Sequence, residues 1–171
     1  LWTRSQFLDN LAAMLGGRAA EEVVFNEIST GASNDIERAT QLARQMVTRY
    51  GMSPRLGPRT FGRREELVFL GREINETRDY SEKLAEEIDA EVKRIIDHAY
   101  KVAKEILTHH KEILHRLAQL LLERETIEGQ ELQEFFRSVP RQSSGVTVWE
   151  DETKKDGESP VVEAPKPTAA A

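Results

Sequence analysis

The fold is decided by residues 81–107, which read SEKLAEEIDAEVKRIIDHAYKVAKEIL. Apolar residues in this stretch recur at steps of four and three, at Leu84, Ile88, Val92, Ile95, Ala99, Val102 and Ile106. This spacing places them on one face of an α-helix, and the hydroxyl of Ser81 can cap its first turn. The stretch therefore predicts one long amphipathic helix.

Two shorter stripes of the same kind precede it. Leu8, Leu11, Leu15 and Ala19 recur at helical spacing within residues 5–24, and a second stripe runs from Ile36 to Tyr50. Both patterns predict α-helices. Gly51 stands where a C′ glycine would end the second helix. The adjacent glycines 16 and 17 fall inside the first helix, where we expect close packing by another backbone rather than a break.

The remaining sequence predicts an insertion, further helices and a tail. Glycine and proline recur across residues 52–77 and exclude a long helix, leaving room for a short strand at 67–70 in a small hairpin. The apolar stripe resumes at Ile113 after a break at His109 and His110, which favours an antiparallel helix pair, and residues 126–137 predict a short final helix. Polar, acidic and proline-rich composition follows. We therefore predict a mainly α, bundle-like domain over residues 1–137 and a disordered tail over 138–171.

Composition narrows the possible functions. The 171 residues are 32% charged, 39% hydrophobic and 6% aromatic, with a net charge of -6, which argues against binding to nucleic acid. There is no cysteine, so any metal must be held by His, Asp or Glu. The chain starts with Leu1 inside an amphipathic pattern and has no apolar run long enough to cross a bilayer. We expect it to be a piece of a longer protein.

Asp35 is the main candidate for chemistry. Its position at the start of the second helix suits a carboxylate that interacts with the helix dipole, and Asn34 and Glu37 are spaced as a capping box. A carboxylate anchored there is also an ordinary zinc ligand, but a hydrolytic zinc site needs three protein ligands. The four histidines include no pair four residues apart. These residues alone indicate a helical domain of unknown function.

Several stretches resemble, in order and spacing, the peptidase domain of FtsH-type ATP-dependent zinc proteases. The resemblance extends over roughly residues 1–137 and is carried by LGGRAAEE at 15–22, STGASNDI at 29–36, YGMS at 50–53, LGP at 56–58, FLGR at 69–72, YSE at 80–82, IDAEV at 88–92 and LLERETI at 121–127.

The resemblance implies a zinc site to which Asp35 contributes the third ligand. Two histidines and a catalytic glutamate of a His-Glu-x-x-His motif would complete it, and that motif is absent from this sequence. Glu22 is a candidate for orienting the metal ligands, and a plain surface or core-capping glutamate is the alternative interpretation. The chain alone is expected to bind zinc weakly and to cleave nothing, and a close approach by the absent metal-binding helix would explain the glycine pair.

The resemblance also implies parts beyond this sequence. They are an ATPase module that uses ATP and Mg²⁺, membrane spans, a homo-hexameric assembly, and unfolded and membrane proteins as substrates. A bacterial relative would sit in the inner membrane with this domain on the cytoplasmic side. The alternative is a non-catalytic helical module for assembly or interaction.

Overall fold

A computed structural model describes residues 1–64, 76–77, 80–137 and 139. The described helices are α1 (Arg4–Phe25), α2 (Ser33–Thr48), α3 (Glu82–His109), α4 (Lys111–Arg124) and α5 (Gly129–Arg137). Two short strands, β1 (Arg63–Arg64) and β2 (Glu76–Thr77), pair antiparallel between α2 and α3. The mainly α fold and the small two-stranded insertion are confirmed. The strand predicted at 67–70 and the predicted tail, Val139 apart, lie outside the described residues.

The core is formed by α1, α2 and α3, with the most extensive packing between α1 and α3. The apolar stripes predicted from the sequence meet there. The core side chains that are least exposed include Leu8, Leu11, Met46, Val47 and Ile88. Because each stripe lies along one face of its helix, three helices together enclose one hydrophobic core.

The first helix begins with a capping box. The Thr3 hydroxyl oxygen accepts a hydrogen bond from the Gln6 backbone N–H at 3.3 Å, while the Gln6 side-chain oxygen accepts from the Thr3 N–H at 2.8 Å. The helix runs unbroken through Gly16 and Gly17, and a Cβ atom added at either would meet no atom within 4 Å. The close packing expected at this pair is therefore not made by the described part of the chain. Packing by a helix outside this sequence stays a prediction.

The ends of α2 differ from the sequence prediction. The helix begins at Ser33, so Ala32 is the N-cap, no side chain caps the helix, and the prediction of Asn34 as the cap is wrong. At the other end, the helix stops at Thr48 with Arg49 as its C-cap. Gly51 has a φ of 59° but lies one position beyond C′. The chain reverses there because the Met52 N–H bonds to the Met46 carbonyl at 2.9 Å.

Helices α4 and α5 stand apart from the three-helix core. The predicted break at His109 and His110 is confirmed, since α3 ends at the first and α4 starts after the second. The predicted antiparallel pair is wrong: α4 touches α3 only sparsely, and no described residue of α4 or α5 is buried. Helix α4 contacts α5 through a charged side chain, since the Arg116 guanidinium lies 5.5 Å from the Phe135 ring centre.

Candidate metal-ligand site at the start of α2

Asp35 lies in the first turn of α2, as predicted. Its side chain is 47% exposed, and the Arg38 guanidinium lies 3.9 Å from one carboxylate oxygen. The unpaired N–H groups at the start of a helix favour a negative charge at this position. The carboxylate is therefore held on a regular helix and is open to an approaching metal ion.

The loop that leads into α2 is fastened to α1 by Glu21. One carboxylate oxygen accepts the Ser29 hydroxyl at 2.7 Å and the other accepts the Ser29 backbone N–H at 3.0 Å. The Ser29 hydroxyl oxygen in turn accepts from the Gly31 N–H at 3.1 Å. The hydrogen bond from the Ser29 hydroxyl, followed by that from its backbone, lowers the pKa of Glu21. Glu21 thus fixes the middle of the loop between α1 and α2, six residues before Asp35, a role that sequence reasoning did not assign.

Glu22, the predicted orienting residue, contacts α3. Lys104 Nζ lies 2.6 Å from one carboxylate oxygen, and the Tyr100 hydroxyl donates to the other. The bond from Lys104, and then the bond from Tyr100, lower the pKa of Glu22. Both oxygens therefore tie the C-terminal part of α1 to α3. A role of Glu22 in orienting metal ligands stays a prediction.

The described residues do not contain a complete metal site. Across 1–64, 76–77, 80–137 and 139, no three His, Asp or Glu side chains are grouped so that they could hold one ion. His109 and His115 are exposed, and burial lowers the pKa of the half-buried His98. A hydrolytic zinc site requires three protein ligands, so the described residues would contribute to such a site a single carboxylate ligand at Asp35.

Glu91 is a buried charge that sequence reasoning did not single out. It is 1% exposed and lies on α3 facing the turn after α2. Its carboxylate accepts the Ser53 hydroxyl at 2.6 Å and two bonds from the Arg94 guanidinium at 3.0 and 3.1 Å, and Arg55 approaches to 3.9 Å. The sequence contains one indication that Glu91 is buried: it lies three residues after Ile88, on the face of α3 that carries the apolar stripe. The network fastens the turn after α2 to α3.

Within the described part of the chain, no helix is both long enough and apolar enough to span a bilayer.

Comparison with known proteins identifies the family. The sequence model of peptidase family M41 matches residues 1–135. An ATP-dependent zinc metalloprotease FtsH 1 from Sphaerobacter thermophilus is 62% identical over 135 residues, which are 79% of this chain and 21% of that protein. A protein of the same name from Thermomicrobium roseum is 59% identical over 135 residues, which are again 79% of this chain and 21% of that protein. An ATP-dependent zinc metalloprotease FtsH from Thermotoga maritima is 54% identical over 132 residues, 77% of this chain and 22% of that protein.

The chain thus spans about a fifth of the length of the curated relatives it matches. The match nevertheless extends across α1 to α3, the insertion and most of the α4–α5 region. It confirms the resemblance seen in the sequence, and the chain belongs to peptidase family M41.

Proposed function

We propose that this chain is part of an ATP-dependent zinc metalloendopeptidase and that Asp35 supplies one of the zinc ligands. The observation that carries the proposal is the half-exposed Asp35 carboxylate in the first turn of α2. The names of the relatives, which describe zinc metalloproteases, support zinc as the metal. The two histidines and the catalytic glutamate of the zinc site would come from sequence outside these 171 residues.

The chain's own residues would position one ligand. Helix α2 holds Asp35 because its apolar face is packed in the core, while the bonds from Glu21 to Ser29 restrain the preceding loop. Bound zinc supplies Lewis-acid activation of water and of a peptide carbonyl. A ligand held on a packed helix needs little rearrangement to meet a metal. The proposed contribution of the chain is therefore the placement of a single oxygen donor.

The wider proposals concern the intact protein. ATP and Mg²⁺ would act in an ATPase module, the substrates would be unfolded and membrane proteins, and the assembly would be a homo-hexamer. The protein would be anchored in the bacterial inner membrane with this domain on the cytoplasmic side. A non-catalytic helical interaction module is the second candidate, favoured by the lack of a His-Glu-x-x-His motif in these residues and by the uncovered α4–α5 region.

The first experiment is to sequence the gene upstream of the Leu1 codon in frame. A His-Glu-x-x-His motif preceded by an ATPase module would support the protease, whereas unrelated sequence would support the interaction module. The protein encoded by the whole reading frame is then purified with Asp35→Ala and with Glu37→Ala. Glu37 is a matched control because it is an exposed carboxylate two residues further along the same helix.

Zinc content measured by mass spectrometry separates a ligand from a structural residue. We expect stoichiometric zinc and ATP-dependent casein cleavage in the parent and in Glu37→Ala, and loss of both in Asp35→Ala with an unchanged circular dichroism spectrum. Full zinc occupancy in Asp35→Ala would disprove the assignment. The 171-residue chain alone should bind zinc weakly in a chelator competition and cleave no casein; tight stoichiometric binding or cleavage would contradict the proposal.

A further inference from the structure

A basic surface follows α2, although the chain as a whole is acidic. Residues 38–64 contain seven arginines and no Asp, Glu or Lys, whereas the whole chain has a net charge of -6. After α2, the structure exposes Arg49, Arg55 and Arg59, which together with the neighbouring Tyr50 we call the arginine surface. Such a concentration of positive charge attracts carboxylates or other anionic groups.

Aromatic side chains border the arginine surface. The Phe7 ring centre lies 5.3 Å from that of Trp2 and 5.4 Å from that of Tyr50, so the three rings form a row. Trp2 is 57% exposed and Tyr50 49%. An aromatic ring beside guanidinium groups suits an indole, which stacks on the ring and is attracted to the cations. The surface therefore fits a segment that combines a large aromatic side chain with carboxylates.

Contacts with α2 and α3 fix the backbone that carries the arginine surface. The Phe61 N–H donates to the Thr48 carbonyl at 2.8 Å, and the Arg59 guanidinium lies 4.9 Å from the Phe61 ring centre. The Ser53 hydroxyl donates to the buried Glu91 carboxylate at 2.6 Å. A fixed surface loses little conformational entropy when a segment binds to it.

One short segment of the same chain has the composition that this surface fits. Residues 149–152 read WEDE, and Trp149 is the only aromatic residue after Phe136. The three residues that follow Trp149 form the only run of three consecutive acidic residues in the sequence. The segment lies outside the described residues. Its sequence combines one large aromatic anchor with three negative charges, which complements both features of the arginine surface.

Helix α5 brings the chain back toward the end of α3. The Arg116 guanidinium near the start of α4 lies 5.5 Å from the Phe135 ring centre, and Arg124 at the end of α4 forms an ion pair with Glu131. These two contacts show that α5 runs antiparallel to α4. The last described residues are therefore close to the point where α3 ends and α4 begins.

The chain beyond α5 is long enough to reach the arginine surface. Glu91, which holds the turn after α2, lies 18 residues before His109 at the end of α3. At 1.5 Å per residue this is about 27 Å of helix. The ten residues from Val139 to Trp149 can span up to about 36 Å. The segment can therefore run back along α3 to the turn.

We propose that residues 149–152 dock on the arginine surface of the same chain, with the Trp149 indole on the Tyr50 ring and the carboxylates on the arginines. Charge and attachment select this occupant. A tethered segment is present at an effective concentration in the millimolar range, so it outcompetes a separate acidic molecule of equal affinity. The inference goes beyond the proposed protease function and is tested without activity.

Disulfide trapping tests the contact, and the absence of cysteine from the sequence makes each introduced pair unambiguous. The trapping variant of the 171-residue chain carries Thr60→Cys on the exposed turn and Thr153→Cys directly after the segment. The control variant carries Thr60→Cys and Thr168→Cys. Both are mildly oxidised in dilute solution and run on a non-reducing gel, where a bond within one chain keeps the monomer mass and a bond between chains doubles it.

We expect the trapping pair to form a bond within one chain roughly tenfold faster than the control pair, because docking raises the effective concentration of its thiols. This advantage should be lost in 1 M salt, where the Debye length falls from about 10 Å to about 3 Å. Adding Trp149→Ala should slow trapping by roughly tenfold, since aromatic anchors dominate binding. Equal rates for the two pairs, a product of doubled mass, or a rate unaffected by salt and by Trp149→Ala would overturn the proposal.

A charge exchange in the trapping variant checks that the arginines and the carboxylates meet. Arg49→Glu with Arg59→Glu should slow trapping, and so should Glu150→Arg with Glu152→Arg. Combining all four substitutions should restore the rate, and a combination as slow as either pair would refute the docking. Circular dichroism melts check folding. If the arginine variant is unfolded, the segment variant decides alone, because an unchanged trapping rate in it would exclude the contact.

Discussion

Replacing Glu91 with alanine should destabilise the protein far more than removing an exposed carboxylate from the same helix. The Glu91 side chain is 2% exposed, and it accepts bonds from Ser53 and Arg94 while Arg55 lies 3.9 Å away. The substitution leaves a buried hydroxyl without this acceptor and removes the anionic partner of two arginines. It also releases the turn after α2 from α3.

The expected loss of unfolding free energy in Glu91→Ala depends on how exposed its arginine partners are. Breaking a buried ion pair by removing one member costs about 3–5 kcal/mol. Arg94 and Arg55 are 26% and 59% exposed and can recover hydration, so we take the lower end, about 3 kcal/mol. Glu91→Gln keeps the size of the side chain and should cost roughly half as much, because one hydrogen bond to a charged group contributes about 1.5–3 kcal/mol.

Urea unfolding followed by circular dichroism measures the effect. For a urea m-value of about 2 kcal/mol per molar, the midpoint should fall by about 1.5 M in Glu91→Ala. The control is Asp89→Ala, which removes an ion pair to Arg44 at 2.9 Å whose side chains are 66% and 44% exposed. That pair should contribute under about 1 kcal/mol. Equal midpoints for the two alanine variants would refute the role assigned to Glu91.

Three further predictions concern packing, charge and backbone conformation. Leu11 is 0% exposed, so Leu11→Ala should lower the free energy of unfolding by about 2–5 kcal/mol in the same urea assay, and a change under about 1 kcal/mol would contradict its place in the core. Lys104→Met should raise the pKa of Glu22 in an NMR titration, because Lys104 is the main cause of its lowered pKa. The stability that this contact contributes is present above the ordinary glutamate pKa of about 4.3 and is lost as pH falls through the lowered pKa. An unchanged Glu22 pKa in the variant would show that the contact is absent in solution. Gly17→Ala should stabilise this chain by about 0.5–1 kcal/mol because a Cβ there meets nothing, whereas Gly51→Ala should destabilise it by about 1 kcal/mol or more because of its positive φ, and the opposite order would refute the packing described for both glycines.

The helices were predictable because their apolar stripes leave few other ways to form a core. The pattern over residues 81–107 predicted α3, and the observed helix Glu82–His109 extends only two residues further. The start of α2 was not predictable from cap signals. Asn34 and Glu37 have capping-box spacing, yet the Ser33 N–H bonds to the Thr30 carbonyl at 3.1 Å, so the helix begins one residue before the expected cap. The conformation of the loop before α2 therefore set the start of the helix, and the capping-box spacing did not.

Long-range polar contacts were the main feature that local patterns did not predict. Glu22 meets Lys104 across 82 positions, and Glu91 meets Ser53 across 38. Helical periodicity shows which face of a helix is buried, but it does not show which residue of another helix lies opposite a given carboxylate. For this reason Glu22 was assigned to the metal site from its neighbourhood in the sequence, while the structure shows it joined to α3.

Asp35 and Glu37 show how far the structure supports the candidate site. Both are carboxylates on the same helix; the sequence interpretation assigned Asp35 to the helix dipole or to a metal, and Glu37 to a capping box with Asn34. The structure separates them, because Asp35 lies in the first turn with its carboxylate near Arg38, whereas Glu37 is exposed further along and accepts a bond from Gln41 at 3.4 Å. A role for Asp35 limited to the helix dipole concerns only helix stability, while a ligand role concerns zinc. Comparing zinc content and unfolding in the two alanine variants therefore distinguishes the roles: a residue that acts only on the helix dipole changes the unfolding midpoint alone, and a ligand changes the zinc content.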